Sequence, residues 1–200
     1  MEPTVAELRK NYERLSDDKI IRLATQEAAS LRPEALDLLR LIITERGLSD
    51  DIQRSIDVQL KEYTEEEIID YANLLAMQPC PLCSSKQLKL NATKINTAKS
   101  FIVLCIHEEQ IKIACPPCLD KAMQRANITT AILGWWQIPS GPYRTIKALT
   151  LNNQAKKQHS ANSPNDLLMG IALSYIGRLE ANRTNPEGIQ DIINDVTVII

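Results

Sequence analysis

Apolar positions recur at helical spacing through the first 78 residues, and polar punctuation divides them into short helices. Val5, Leu8, Tyr12 and Leu15 share one face of a first segment over 4–15. Ser16 stands where a cap would start a helix over 17–29, and Asp17 and Asp18 complement the positive end of its dipole. Pro33 suits the first turn of a third helix, and Gly47 suits its end. Between them Leu36, Leu38, Leu39, Leu41, Ile42 and Ile43 form a wide apolar stripe. Ser49 opens a fourth helix with Ile52, Ile56 and Leu60 on one face. Thr64 and Glu67 make a capping box for a fifth, which runs to about Met77 before Pro79.

The period then changes. LKLNATKI alternates apolar and polar, SFIVLCI is rich in β-branched residues, and IKIA alternates again after HEEQ. Two or three antiparallel strands are expected over 88–114, with a turn at HEEQ. Helical spacing returns at Leu119, Ala122, Met123 and Ala126, until Pro139, Gly141 and Pro142 interrupt it. A short helix over 143–151 is expected, then a polar linker over 152–163 (NNQAKKQHSANS). Two helices follow, over about 164–181 and from Pro186 to the apolar end VTVII. Ile189, Ile192, Ile193, Val196 and Ile200 fall on one face of the last, so it must dock on its own chain or exchange with a second copy in a homodimer.

The expected fold class is α+β and mostly helical, with a treble-clef or zinc-ribbon-like β-hairpin module in the middle. The expected segments are a helical bundle over 1–78, a Cys₄ zinc module with its following helix over 79–151, the linker over 152–163, and a helical pair over 164–200.

Composition sharpens this in two places. The first is charge, since the net −2 conceals a segregation. Residues 1–79 carry a net −7, residues 80–158 a net +8 from 11 Lys and Arg against 3 Asp and Glu, and residues 159–200 a net −3. The middle is the part suited to meet an anion, either nucleic acid or anionic lipid, through Lys86, Lys89, Lys94, Lys99, Lys112 or Lys121. Alternatively it faces the acidic helices of the same chain. Phe101 is the only aromatic residue in the expected strands, so phosphate contact is favoured over base stacking.

The second is cysteine. Cys80 and Cys83 form one C-x-x-C pair, and Cys115 and Cys118 a second, with 31 residues between the pairs. Each pair lets one backbone turn offer two sulfurs to one ion, and two pairs complete a closed thiolate tetrahedron suited to structural zinc. Redox C-x-x-C pairs and an iron–sulfur cluster are the competing readings. Cys105 is left for the core. With no signal segment at the start and no apolar run of membrane length, a reducing cytoplasm is expected. Four thiolates leave the metal no open position for catalysis. His107, His159 and Asn152 or Asn153 are the only set that could imitate a nuclease site.

Residues 115–149, with Cys80 and Cys83 before them, resemble a group of bacterial zinc-ribbon proteins of unassigned function. In these a C-x-x-C pair precedes an apolar helix and a Gly-Trp-Trp-x-x-Pro-x-Gly element, matched here by Gly134, Trp135, Trp136, Pro139 and Gly141. The resemblance implies a zinc ribbon and a membrane-associated segment. This chain differs by carrying Lys121, Arg125, Asn127, Gln137 and Ser140 there. Trp135 and Trp136 then either plug the core or anchor the chain to a lipid surface or a protein. The function expected is a non-enzymatic adaptor whose zinc module scaffolds protein contact. Nucleic-acid binding and peripheral membrane association are the alternatives.

Overall fold

The computed structural model describes residues 4–100, 105–135, 140–159 and 163–198. Ten α-helices and one hairpin are found among them, in the order α1 (Val5–Glu13), α2 (Asp17–Arg22), α3 (Pro33–Glu45), α4 (Asp50–Gln59), α5 (Glu65–Ala76), β1 (Asn91–Ser100), β2 (Cys105–Ala114), α6 (Pro116–Leu133), α7 (Ser140–His159), α8 (Asp166–Ser174), α9 (Ile176–Ala181) and α10 (Pro186–Val198). The α+β class is therefore met, as a mostly helical chain with one small antiparallel sheet.

The helix starts follow the expected chemistry. Thr64 and Glu67 close their capping box, and Thr4 with Glu7 forms another. Ser49 accepts from the Asp51 N–H at the head of α4. Ser16 stands at the head of α2, but its side chain makes no capping bond. Gly47 takes a φ of +64°, the left-handed conformation that ends α3 without a side-chain penalty. Beyond α2 the chain continues through a π turn over Leu23–Glu27 and a 3₁₀ turn over Ala28–Ser30. The backbone groups this irregularity frees are taken up by α4. Gln59 donates to the Ala24 carbonyl at 2.6 Å and accepts from the Ala28 N–H at 3.2 Å.

Two apolar cores result, and their membership cuts across the expected segments. The first unites Tyr12, Ile20, Leu38, Leu39, Ile42, Ile43, Ile52 and Ile56 from α1 to α4. Leu41, from the same stripe, is left exposed. The second gathers α5 (Tyr71, Leu75), one cysteine of each pair (Cys80, Cys115), the base of the hairpin (Ala92, Ile113), α6 (Leu119) and the last three helices. Thus α5, which reads as part of the N-terminal bundle, contributes its core residues to the hairpin and C-terminal helices. The two cores meet where α9 crosses α4 and the π turn. There a Cβ on Gly177 would stand 2.4 Å from the Thr25 carbonyl oxygen and 2.5 Å from Gln59 Nε2. Gly177→Ala is expected to cost about 1–3 kcal/mol, because backbone must shift to admit the methyl group. Gly170→Ala, with nothing within 4 Å of its added Cβ, should be neutral or stabilising by up to ~1 kcal/mol. Denaturant unfolding of the pair checks the close approach, and equal midpoints would refute it.

Three expectations are corrected. HEEQ is not a turn: His107, Glu108, Glu109 and Gln110 pair with Ala98, Thr97, Asn96 and Ile95 inside one continuous hairpin. Their polarity serves diagonal cross-strand ion pairs, Lys94 with Glu109 and Lys99 with Glu108. The hairpin's connection at 101–104, including Phe101, lies outside the described residues. Gly141 and Pro142 do not interrupt a helix but stand in the first turn of α7, where proline's missing N–H has no partner to lose. The polar stretch expected as a linker is helical through His159, because α7 has a task along the sheet edge.

That task is to close the open side of β1. An edge strand presents unpaired N–H and C=O groups, which must find partners when buried. The Asn152 side chain receives the Asn96 N–H on Oδ1 at 2.8 Å and donates from Nδ2 to the Asn96 carbonyl at 2.9 Å. Thr130 Oγ1 of α6 accepts from the Ala98 N–H, and Asn165 Nδ2, at the head of α8, donates to the Ala92 carbonyl. One side-chain amide thus imitates a third strand. Asn152→Ala strands a buried donor and a buried acceptor, each worth about 1–3 kcal/mol. We expect a loss of about 2–4 kcal/mol in urea unfolding, and a loss below about 0.5 kcal/mol would show that the clamp is idle.

Candidate metal centre

The first cysteine pair lies on a tight turn after α5. Ser84 N–H donates to the Cys80 carbonyl at 2.8 Å, and Cys80 N–H donates to the Ser85 carbonyl at 2.9 Å. Ser84 takes a φ of +57°, an uncommon conformation for a residue other than glycine. Leu90 N–H donates to the Ala76 carbonyl at 2.8 Å, which ties the far side of the turn to the end of α5. The second pair stands at the start of α6, with Cys115 as N-cap, Pro116 next, and Cys118 in the first turn. The hairpin delivers that helix end to the turn, since Asn91 and Ala114 pair at its base.

All four sulfurs fall within 4.8 Å of one another. Cys83 Sγ and Cys115 Sγ are 3.7 Å apart. Four thiolates around one ion at ~2.3 Å have sulfur–sulfur edges of about 3.8 Å, so the group fits a single tetrahedrally bound ion. A disulfide needs about 2.05 Å, and the four cysteines are free. Cys80 and Cys115 are buried, Cys118 is partly buried and Cys83 is exposed, so the group sits against the second core with one side toward solvent.

The electrostatics suit a cation. Burial raises the Cys80 thiol, but the N–H groups of Cys115, Leu82 and Cys83 directed at its sulfur outweigh this and bring it down to about 7. The Cys115 N–H reaches Cys80 Sγ at 3.4 Å. Burial, and then the sulfurs of Cys115 and Cys83, push Cys118 up to about 12, and burial also raises Cys115. One thiolate forms readily and discourages the rest, a conflict that a divalent ion at their centre removes.

The other candidate residues are dispersed. His107 is exposed on β2 opposite Ala98. His159 is fully buried at the end of α7, 3.4 Å from Thr93 Oγ1 and 3.2 Å from Asp120. Five residues of β1, about 16 Å, separate these positions. Asn152 is engaged by the strand edge, and Asn153 is exposed. The nuclease-like set is therefore not assembled. Of the six lysines, Lys99, Lys112 and Lys121 line one groove, Lys94 lies on the other hairpin face, and Lys86 and Lys89 are exposed after the first cysteine turn. Trp135 does not plug the core: it is 45% exposed and donates from Nε1 to the Ala131 carbonyl at 2.8 Å. Trp136 and Pro139 lie outside the described residues, as does Ile200, and the Cys105 side chain is likewise not described. Among the described residues no helix is long and apolar enough to cross a membrane.

No family model, no curated protein and no solved structure matches the chain. The zinc-ribbon resemblance thus stands on the cysteine pairs and the Gly-Trp-Trp element alone.

Proposed function

We propose that this protein is a zinc-stabilised, non-enzymatic adaptor of a reducing compartment. Cys80, Cys83, Cys115 and Cys118 hold one structural zinc ion in a treble-clef-like module of cysteine turn, hairpin and helix. Sulfurs this close favour a single ion over a cluster, in which different cysteines bind different irons. When bound, the ion joins α5, the hairpin and α6 at one point.

The observation that carries the adaptor reading lies on the far end of α6. Ile128 and Ile132, one turn apart on α6, are exposed, as is Trp135 in the turn just beyond the helix end. Tyr143 and Ile146 on α7 are exposed as well, 70% and 58%. The two sets lie at the same end of the helix pair, where Gly134 closes on Thr145. Apolar residues grouped this way on a surface mark an interaction site. A photo-crosslinking residue placed at position 132 in cells should give a discrete protein adduct that a probe at exposed Leu41 does not give. An adduct with lipid would favour peripheral membrane association instead, and no adduct at position 132 would sink both.

A further inference from the structure

A second site opens on the other side of α6. The hairpin face bearing Ile95, Thr97, Lys99, Glu108, Gln110 and Lys112 and the helix face bearing Lys121, Arg125 and Thr129 enclose a groove of about 480 Å³. It starts at Cys83 and Cys118 and follows α6 to Thr129, about 16 Å at the helical rise. Four cations line it against one carboxylate, Glu108, which Lys99 already holds at 2.8 Å. Among the described residues, Lys112, Lys121 and Arg125 have no carboxylate partner.

We propose that this groove binds the phosphodiester backbone of a single-stranded nucleic acid, without reading its sequence. Two observations favour that ligand, and a third limits it to backbone contact. Lys121 and Arg125 are four residues apart on α6, about 5–6 Å between Cβ atoms, or one to two nucleotide steps of a stacked strand. Thr97, Gln110 and Thr129 add hydroxyl and amide groups of the kind that contact phosphate and sugar. No aromatic ring lines the groove among the described residues, so it lacks the stacking platform that would discriminate or tightly hold bases.

Shape separates this ligand from other polyanions. Duplex DNA is read by elements that protrude into its grooves, whereas these cations line the two walls of a groove, Lys121 and Arg125 exposed on the helix side and Lys99 and Lys112 half-buried on the sheet side. A lipid surface likewise meets protruding side chains. The thiolates of the metal centre do not neutralise the far end of the groove, although Lys121 stands one turn from Cys118. Arg125 is seven residues, about 10 Å, along α6 from Cys118, beyond the ~8 Å screening length of physiological salt. The inference does not depend on the adaptor reading, which concerns the Ile132 face.

The test is fluorescence anisotropy of labelled oligothymidylate with the full zinc-loaded chain. Three phosphate contacts predict a slope of log affinity against log salt of about −2. That is an affinity loss of about 20-fold between about 50 and about 200 mM salt. The double variant K121Q/R125Q should retain its zinc and melting temperature, with a slope near −0.7 and only about a threefold loss over the same range. R144Q/K147Q, the same charge change on exposed positions of α7, should leave the slope unchanged. The proposal is overturned if K121Q/R125Q keeps the parent slope or if R144Q/K147Q weakens binding as much. It is overturned also if phosphatidylserine vesicles or polyglutamate bind through Lys121 and Arg125 while oligothymidylate does not.

Discussion

Cys115→Ser is expected to abolish stoichiometric zinc binding and to unfold the hairpin and the start of α6. Cys115 is at once a proposed ligand, the N-cap of α6 and a buried member of the second core. Structural zinc in small modules contributes an apparent ~10–16 kcal/mol of folding free energy, as much as the whole stability of an ordinary domain, about 5–15 kcal/mol. Its loss is therefore not absorbed locally, and the second core, which includes Cys80 and Cys115, should melt with it. Cys83→Ser separates the causes, because Cys83 is exposed. It should lose the metal while leaving no cavity. Cys105→Ser should keep about one zinc per chain at a far smaller stability cost. Metal analysis of purified variants beside thermal unfolding reads both quantities, and equal zinc loss from the Cys105 variant would defeat the ligand assignment.

Deleting residues 186–200 is expected to be as damaging. Ile189, Ile192, Ile193 and Val196 are all nearly or fully buried in the second core. Each such side chain is worth about 1.5–3 kcal/mol on burial, so the four together contribute about 6–12 kcal/mol. The cut also uncovers their apolar partners on α5 and the preceding helices, which should drive aggregation. Ile192→Ala, at a position with no exposure, gives the graded version, a loss of about 2–5 kcal/mol. A truncated chain that stayed monomeric and equally heat-stable would show that α10 is dispensable.

Much of this architecture is legible in the order of residues. Local signals named most helix boundaries, since a capping box such as Thr64 with Glu67, or a glycine such as Gly47, acts within one turn. The cysteine pairs were equally legible, because two residues between sulfurs suit one turn whatever surrounds it. Other features depend on groups far apart in the chain. Whether HEEQ turns or pairs depends on Lys94 and Lys99 across the hairpin. Whether α7 stops near 151 or continues depends on the edge of β1, whose unpaired backbone Asn152 satisfies. Polarity alone marked that asparagine as linker, although it is fully buried.

Residue order alone thus set most helix starts, the segregation of charge and the C-x-x-C turns. The tertiary structure decided which elements share a core. It placed α5 with the hairpin rather than the bundle, folded α10 onto its own chain, and gathered Lys112, Lys121 and Arg125 into one groove. The reason is range. Capping bonds and C-x-x-C turns are settled within about four residues, whereas burial and charge clustering arise between elements far apart in the chain, and no local pattern records which faces will meet.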